Sequence, residues 1–345
     1  MKILVYADPH YCESSSIIRL SGNKYSKRIE NVIQSINFVN ELAVKENCQL
    51  ICCLGDFFDS SVLNAHEISG LQDINWKGDH IFITGNHELG IIHSKYSTSD
   101  IFSMIPHAEV IRKPAAYEYN NFNLILLPYM FNTTGQSLSK YILNNGKKNI
   151  VLGHCDIKGI QLGAYKTTGG FDLEDIEKYT DLFINGHLHN SSYLNKNKTI
   201  INLGNLTGLN FSEDAFKYKH YVGIIDTNTC SLQLVENPHA FKFYKIDATN
   251  MSTDCAISKI SSLPNNSVIT VKTTSTELRD KIDKLDNILT YRLVIQANNT
   301  LTENKATVNN KISVDYLADF KKSVIDRLGN TKLVLSELQE VFSWN

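Results

Sequence analysis

The side chains best suited to chemistry fall in five short clusters, and each cluster follows an apolar run. Asp8-Pro9-His10 follows Ile3–Ala7, and Gly55-Asp56-Phe57-Phe58-Asp59 follows Leu50–Leu54. Gly85-Asn86-His87-Glu88 follows His80–Thr84, Gly153-His154 follows a run ending at Leu152, and Gly186-His187-Leu188-His189 follows one ending at Asn185. Asp8, His10, Asp56, Asn86, His154, His187 and His189 offer carboxylate oxygen, amide oxygen and imidazole nitrogen, with no thiolate among them. Such a mixed set suits borderline-hard divalent ions such as manganese, iron(II) or zinc. It holds more ligands than one ion uses. If Asp56 is shared, the set serves two ions, and a pair roughly 3.5–4 Å apart is the clamp used for in-line displacement at phosphorus. His187 and His189, alternating after a strand, point the same way.

The apolar runs must place these clusters. They are short and β-branched, and nearly continuous, as expected of strands buried on both faces. Ile29, Val32, Ile33, Ile36, Val39, Leu42 and Ala43 keep helical spacing between the first two runs. Ligands gather at the carboxyl ends of strands in open α/β sheets, so five segments would deliver their side chains to one edge. Glycine precedes the ligand in most clusters, allowing tight turns and close backbone approach. Asn123–Leu127 and Thr199–Leu203 read as further strands, and Tyr221–Ile225 and Ser231–Val235 as a hairpin around Asp226-Thr227-Asn228-Thr229. The fold class is α/β, a mixed sandwich to about residue 245. Beyond it, Ser267–Thr273, Glu277–Leu285 and Thr290–Gln296 read as strand, helix, strand. Residues 298–312 are a polar linker, and 313–345 hold two short amphipathic helices carrying Leu317, Phe320 and Val324, then Leu335, Leu338 and Val341.

Composition narrows the function classes. The 345 residues include 34 Lys plus Arg and 36 Asp plus Glu, a net charge of −2, which excludes a bulk polycation. Seven cysteines, without CxxC spacing, argue against a disulfide framework and for a reducing cytoplasm. No stretch approaches the ~18 apolar residues of a membrane span, and the N-terminus turns polar too soon for a signal peptide. Lys24, Lys27 and Arg28, and Lys158 with Lys166, are the local basic clusters available to phosphate.

Taken in order, Asp-x-His, Gly-Asp-x-x-Asp, Gly-Asn-His-Glu, Gly-His and Gly-His-x-His resemble the motifs of the calcineurin-like metallophosphoesterase superfamily over about residues 1–245. The resemblance implies an αββα sandwich and a dinuclear centre. Asp8, His10, Asp56 and His189 would hold one ion, and Asp56, Asn86, His154 and His187 the other. His87 would face the scissile phosphate, with Asp59 or Glu88 as its orienting partner.

Within that superfamily the pattern looks most like the SbcD-type DNA-repair and recombination nucleases, in the compact form of bacteriophage versions. Gly55-Asp56-Phe57-Phe58-Asp59 is similar to their second motif, although Glu88 and Tyr11-Cys12 depart from theirs. The resemblance implies manganese-dependent 3′-to-5′ exonuclease and single-strand endonuclease activity, and a homodimer. It also implies a small α+β capping domain that binds DNA at 246–297, and a C-terminal segment at 313–345 that grips the coiled coil of an SMC-like ABC ATPase. Two alternatives stay open. A Ser/Thr protein phosphatase would carry Arg-Gly where Ser60-Ser61 follows Asp59, and a small-substrate phosphodiesterase would leave about 100 residues unexplained.

Overall fold

A computed structural model describes residues 1–13, 22, 24–89, 96–162 and 165–296. In chain order the elements are β1 (Lys2–Tyr6), α1 (Lys27–Lys45), β2 (Leu50–Cys53), α2 (Ala65–Leu71), β3 (His80–Ile83), β4 (Ala108–Ile111), β5 (Ala115–Glu118), β6 (Phe122–Leu127) and β7 (Lys148–Gly153). There follow β8 (Gln161–Leu162), β9 (Tyr165–Lys166), α3 (Leu173–Tyr179), β10 (Leu182–Asn185), β11 (Ser192–Tyr193), β12 (Ile200–Asn202), β13 (Tyr221–Asp226) and β14 (Ser231–Glu236). Last come β15 (Lys242–Asp247), α4 (Thr253–Ser261), β16 (Ser267–Thr273), α5 (Leu278–Ile282) and β17 (Ile288–Ile295).

Two six-stranded sheets form the sandwich, ordered β14-β13-β1-β2-β3-β4 and β11-β12-β10-β7-β6-β5. In the first, β1 to β4 run parallel, and in the second β6, β7, β10 and β12 do. Alternation along the strands divides the apolar residues between three layers. Ile3, Val5, Leu50, Cys52, Leu124, Leu126, Ile150, Leu152 and Ile184 pack between the sheets. Leu4, Tyr6, Ile51 and Cys53 face α1, while Ile125, Val151 and Phe183 pack with Ile176 of α3 on the opposite outer face. This is the αββα arrangement, and burial on both faces is why the strand sequences read as unbroken apolar runs.

Helix α1 starts where Ser26 accepts a hydrogen bond from the Ile29 amide, and just past its end Asn47 takes a left-handed φ of 55°. Its apolar stripe is part of the core. Strands β4 and β5 escape a reading by hydrophobicity because they are four residues long and only half-buried. The final sheet is three-stranded, parallel and ordered β15-β16-β17, so this unit is β-α-β-α-β and begins at Lys242. The boundary expected between 245 and 246 falls inside β15. Residues 1–297 make one compact unit. The expected linker at 298–312 and helices at 313–345 lie outside the described residues.

Candidate metal centre

Beyond the ends of β1 and β2 the two loops run side by side, joined by Asp8 N–H to Gly55 O at 3.2 Å and His10 N–H to Asp56 O at 3.1 Å. Asp8, His10, Asp56 and His187 all adopt left-handed backbone, with φ of 48°, 45°, 46° and 72°. For non-glycine residues each such conformation costs on the order of 1–3 kcal/mol and persists only where neighbours over-determine it. The neighbours here are the opposite loops. The His187 amide donates to Asp8 Oδ1 at 3.1 Å, and the His87 amide donates to Asp56 Oδ1 at 2.9 Å. Glycine is required at two points of closest approach. A Cβ on Gly55 (φ +94°) would strike the His154 ring, and one on Gly85 would meet the Asp56 carboxylate and amide nitrogen.

The side chains so placed form overlapping groups. Ligand atoms of Asp8, His10 and His189 lie within 4.8 Å of one another, as do those of Asp56, His154 and His187, and of His10, Asp56 and His87. Asn86 Oδ1 joins the second group, 3.0 Å from both His154 Nε2 and His187 Nδ1. Hydrogen bonds at the far ring nitrogens select the tautomers. His154 Nδ1–H donates to Leu54 O at 2.7 Å, His187 Nε2–H to Asp156 Oδ1 at 2.9 Å, and His10 Nδ1–H to Asp59 Oδ1 at 2.9 Å. The other nitrogens then present lone pairs, and they face further acceptors. His154 Nε2 is 3.2 Å from His187 Nδ1 and 3.2 Å from Asp56 Oδ2, and His10 Nε2 is 2.9 Å from His189 Nε2. Asp8 Oδ2 is buried with no hydrogen-bond partner. Acceptors converging on acceptors repel unless a cation lies among them, so the donor set fits divalent metal, with its histidines oriented from behind.

Electrostatics agree. Burial, with Asp56 and Glu88 nearby, pushes Asp8 up to about 8. Burial opposes charge on both Asp56 and His154, yet their mutual attraction wins, holding Asp56 below the usual carboxylate range and His154 up at about 10. The carboxylates thus demand a positive charge at this spot, and a divalent ion supplies it in place of the His154 proton. Burial, reinforced by His10, lowers His189 to about 3, and burial lowers His10, so both imidazoles are neutral and ready to ligate.

His87 lies at the open side, its ring 40% exposed, with Nδ1 3.0 Å from the Asp59 carbonyl oxygen and Nε2 4.0 Å from Asp56 Oδ2. The Asp59 carboxylate is 3.6 Å from His87 but bonds His10. Glu88 is not available to His87. It is fully buried and accepts from the amides of Phe57, Phe58 and Gly85 at 2.5, 3.2 and 2.6 Å, tying the β2 and β3 loops together.

In the first basic cluster Lys24 pairs with Asp73 at 2.8 Å and Lys27 lies 3.8 Å from Glu30, both at the surface, while Arg28 is buried and so is not available to phosphate. Lys158 is likewise paired, with Asp172 at 3.0 Å. Hydrophobic spacing gave no sign of Asp156, which orients His187, or of the buried Asn185, which bonds both Cys155 N and Cys155 O beside His154. The one available signal was Asp156 standing two residues after His154.

A search of curated proteins finds no match. Two solved structures show the limits of likeness. A single mutant of Vps29 from Entamoeba histolytica is 12% identical, covering 68% of this chain and 99% of its own, with a TM-score of 0.30. Another crystal structure is 10% identical over 68% of this chain and 98% of its own, with a TM-score of 0.42. The family model for calcineurin-like phosphoesterases matches residues 1–191, which span every cluster from Asp8 to His189. The chain belongs to the calcineurin-like phosphoesterase family, and its chemistry is metal-dependent phosphoester hydrolysis.

Proposed function

We propose that this chain is a dinuclear, manganese-dependent DNA nuclease, similar to the SbcD-type subunits that work with an SMC-like ABC ATPase in recombination and repair. What supports nucleic acid over a small ester or a phosphopeptide is the β-α-β-α-β unit. Ile246, Ile269, Val271 and Leu293 pack beneath α4 and α5. By alternation Lys245, Lys272 and Arg292 turn to the other face of the sheet, with Lys245, Thr270 and Arg292 in one cross-strand row. There Lys245 also donates to Ser212 O at 2.5 Å, Arg292 lies over the Phe211 ring at 4.7 Å and Lys272 stands opposite Asp247. Cations spaced along a sheet suit a phosphate backbone.

Bound divalent ions would polarise the phosphoryl group and make water a nucleophile near neutral pH. The protein's part is positional. Asp8, His10, Asp56 and His189 would hold one ion, and Asp56, Asn86, His154 and His187 the other. His87, with Nδ1–H held by the Asp59 carbonyl, would in its imidazolium form give the Nε2 proton to the leaving sugar oxygen and be left as the neutral Nδ1–H tautomer.

The test offers linear duplex DNA, single-stranded circles, a phosphopeptide and a bis-ester dye, with manganese, to wild type, His87→Ala and Asp56→Ala. We expect DNA cleavage by wild type. His87→Ala should keep metal and DNA binding and lose about 10²–10⁴-fold in cleavage, while Asp56→Ala should lose metal itself. Turnover of the phosphopeptide alone would overturn the nuclease reading. Full cleavage by His87→Ala would remove that residue's role.

A further inference from the structure

Arg28 is 1% exposed, in the first turn of α1, on a face that also buries Asn31, Val32 and Ser35. A guanidinium costs several kcal/mol to bury, and a hydrophobic residue of similar volume is often no less stabilising. Its placement therefore calls for an account in terms of geometry. Nη2 donates to the carbonyls of Pro9 at 2.6 Å and His10 at 3.2 Å. Nη1 donates to Thr207 Oγ1 at 2.5 Å and Gly208 O at 3.0 Å.

These acceptors belong to two segments that come from different sheets. Residues 9–10 leave β1 of the first sheet and carry His10 in its left-handed conformation. Residues 207–208 follow β12 of the second. Just before them, the Leu206 amide donates to Ala7 O at 2.8 Å and the Asn205 amide to His189 O at 3.1 Å. The guanidinium is thus a fork with one tine on the His10 loop and one on the strand of chain that holds His189. Those two rings meet at 2.9 Å between their Nε2 atoms.

We infer that Arg28 is a positioning residue, whose buried guanidinium sets the spacing of His10 and His189 and so shapes one of the two ion sites while leaving the other alone. The inference rests on the two-ion reading of the centre. The hydrogen bonds of Arg28 go to Pro9, His10, Thr207 and Gly208, and among the described residues none reaches Asn86, His154 or His187, so its effect should be confined to the His10–His189 site. Lysine cannot replace it, because one ammonium cannot span both loops as a planar fork does.

The experiment titrates full-length protein with manganese, following stoichiometry by calorimetry and ion–ion coupling by electron paramagnetic resonance. Wild type, Arg28→Met, Arg28→Lys and Thr207→Val are compared, with thermal melts alongside. Wild type should bind two coupled ions. Arg28→Met and Arg28→Lys should bind the ion at Asn86, His154 and His187 normally and the ion at His10 and His189 about 10–100-fold more weakly. At one equivalent their spectra should show an isolated ion. Thr207→Val removes a single acceptor, leaves the guanidinium in place, and should shift the affinity at His10 and His189 in the same direction by less. If Arg28→Met does not fold, Arg28→Lys and Thr207→Val still decide the matter. Two ions bound at wild-type affinity in the variants, or both weakened together, overturns the inference and leaves the two-ion reading standing. Failure of wild type to bind two ions overturns both.

Discussion

At the scale of single residues, the centre is a set of buried groups whose charges are balanced only in company. Asp8, Glu88 and His154 are pushed up to about 8, about 7 and about 10. Burial is the largest influence on all three. It raises the two carboxyls and works against His154, where Asp56 overcomes it. Each group keeps its proton in the folded chain at a pH where the unfolded chain, with ordinary values of about 3.9, 4.3 and 6.5, has lost it. The folded protein therefore binds more protons over that span, and stability falls as pH rises through it. Asp56 works in the opposite sense, since its stabilisation is present at neutral pH and is lost only in acid. In chelator, the melting temperature should decline from about pH 6 to about pH 9, and saturating manganese should flatten that slope by taking over the role of the protons. A melting temperature that rises over the same interval in chelator would contradict this account.

At the scale of elements, α1 does two jobs with two kinds of residue. Its aliphatic stripe, with Ile29, Val32, Ile36 and Val39 fully buried, covers β1 to β3, and Arg28 at its start reaches the metal loops. The stripe is therefore accounted for within one chain. Ile36→Ala should destabilise by about 2–5 kcal/mol, as truncation of a well-packed aliphatic side chain does. Because the loss is internal, chemical denaturation midpoints should shift equally at low and high protein concentration. A shift that vanished at high concentration would mean that Ile36 packs against a second copy. The loops depend on glycine in the same local way, since Gly55 and Gly85 let His154 and Asp56 come closer than any Cβ would permit.

At the scale of the whole molecule, a net charge of −2 leaves no general attraction for DNA. Two divalent ions would bring about +4 to the place where phosphate would sit, and on the proposed reading the Lys245, Lys272 and Arg292 face would add a second local grip. Further grip would come from a partner. Our reading assigns ATPase docking to residues 313–345, whose amphipathic pattern is too short to persist alone in water. Deleting 313–345 should leave manganese-dependent DNA cleavage intact and abolish co-purification with the ATPase. Loss of cleavage with aggregation would instead mean that these residues complete the catalytic core. Among the described residues no helix is long and apolar enough to cross a membrane.

The sequence by itself determined the strands and the order in which ligands follow them. Both come from local causes: an apolar run buried on two faces is legible residue by residue, and a glycine before Asp56 or His154 marks a turn wherever it occurs. The same local signals failed for β4 and β5, which are short, half-buried edges, for β15, which a boundary placed at 245 cut in two, and for the short helix α4. Tertiary structure alone decided which groups stand behind the ligands. Asp156, Asn185 and Arg28 act across separations of 31, 30 and 18 residues, on His187, Cys155 and His10 respectively. Helical or strand periodicity carries no trace of such pairings, because they form only when segments distant in sequence come together, across neighbouring strands β7 and β10 for the first two and between α1 and the β1 loop for the third. For the same reason Glu88, expected as an orienting partner of His87, and Arg28, expected in a basic cluster, proved to be buried clamps in three dimensions.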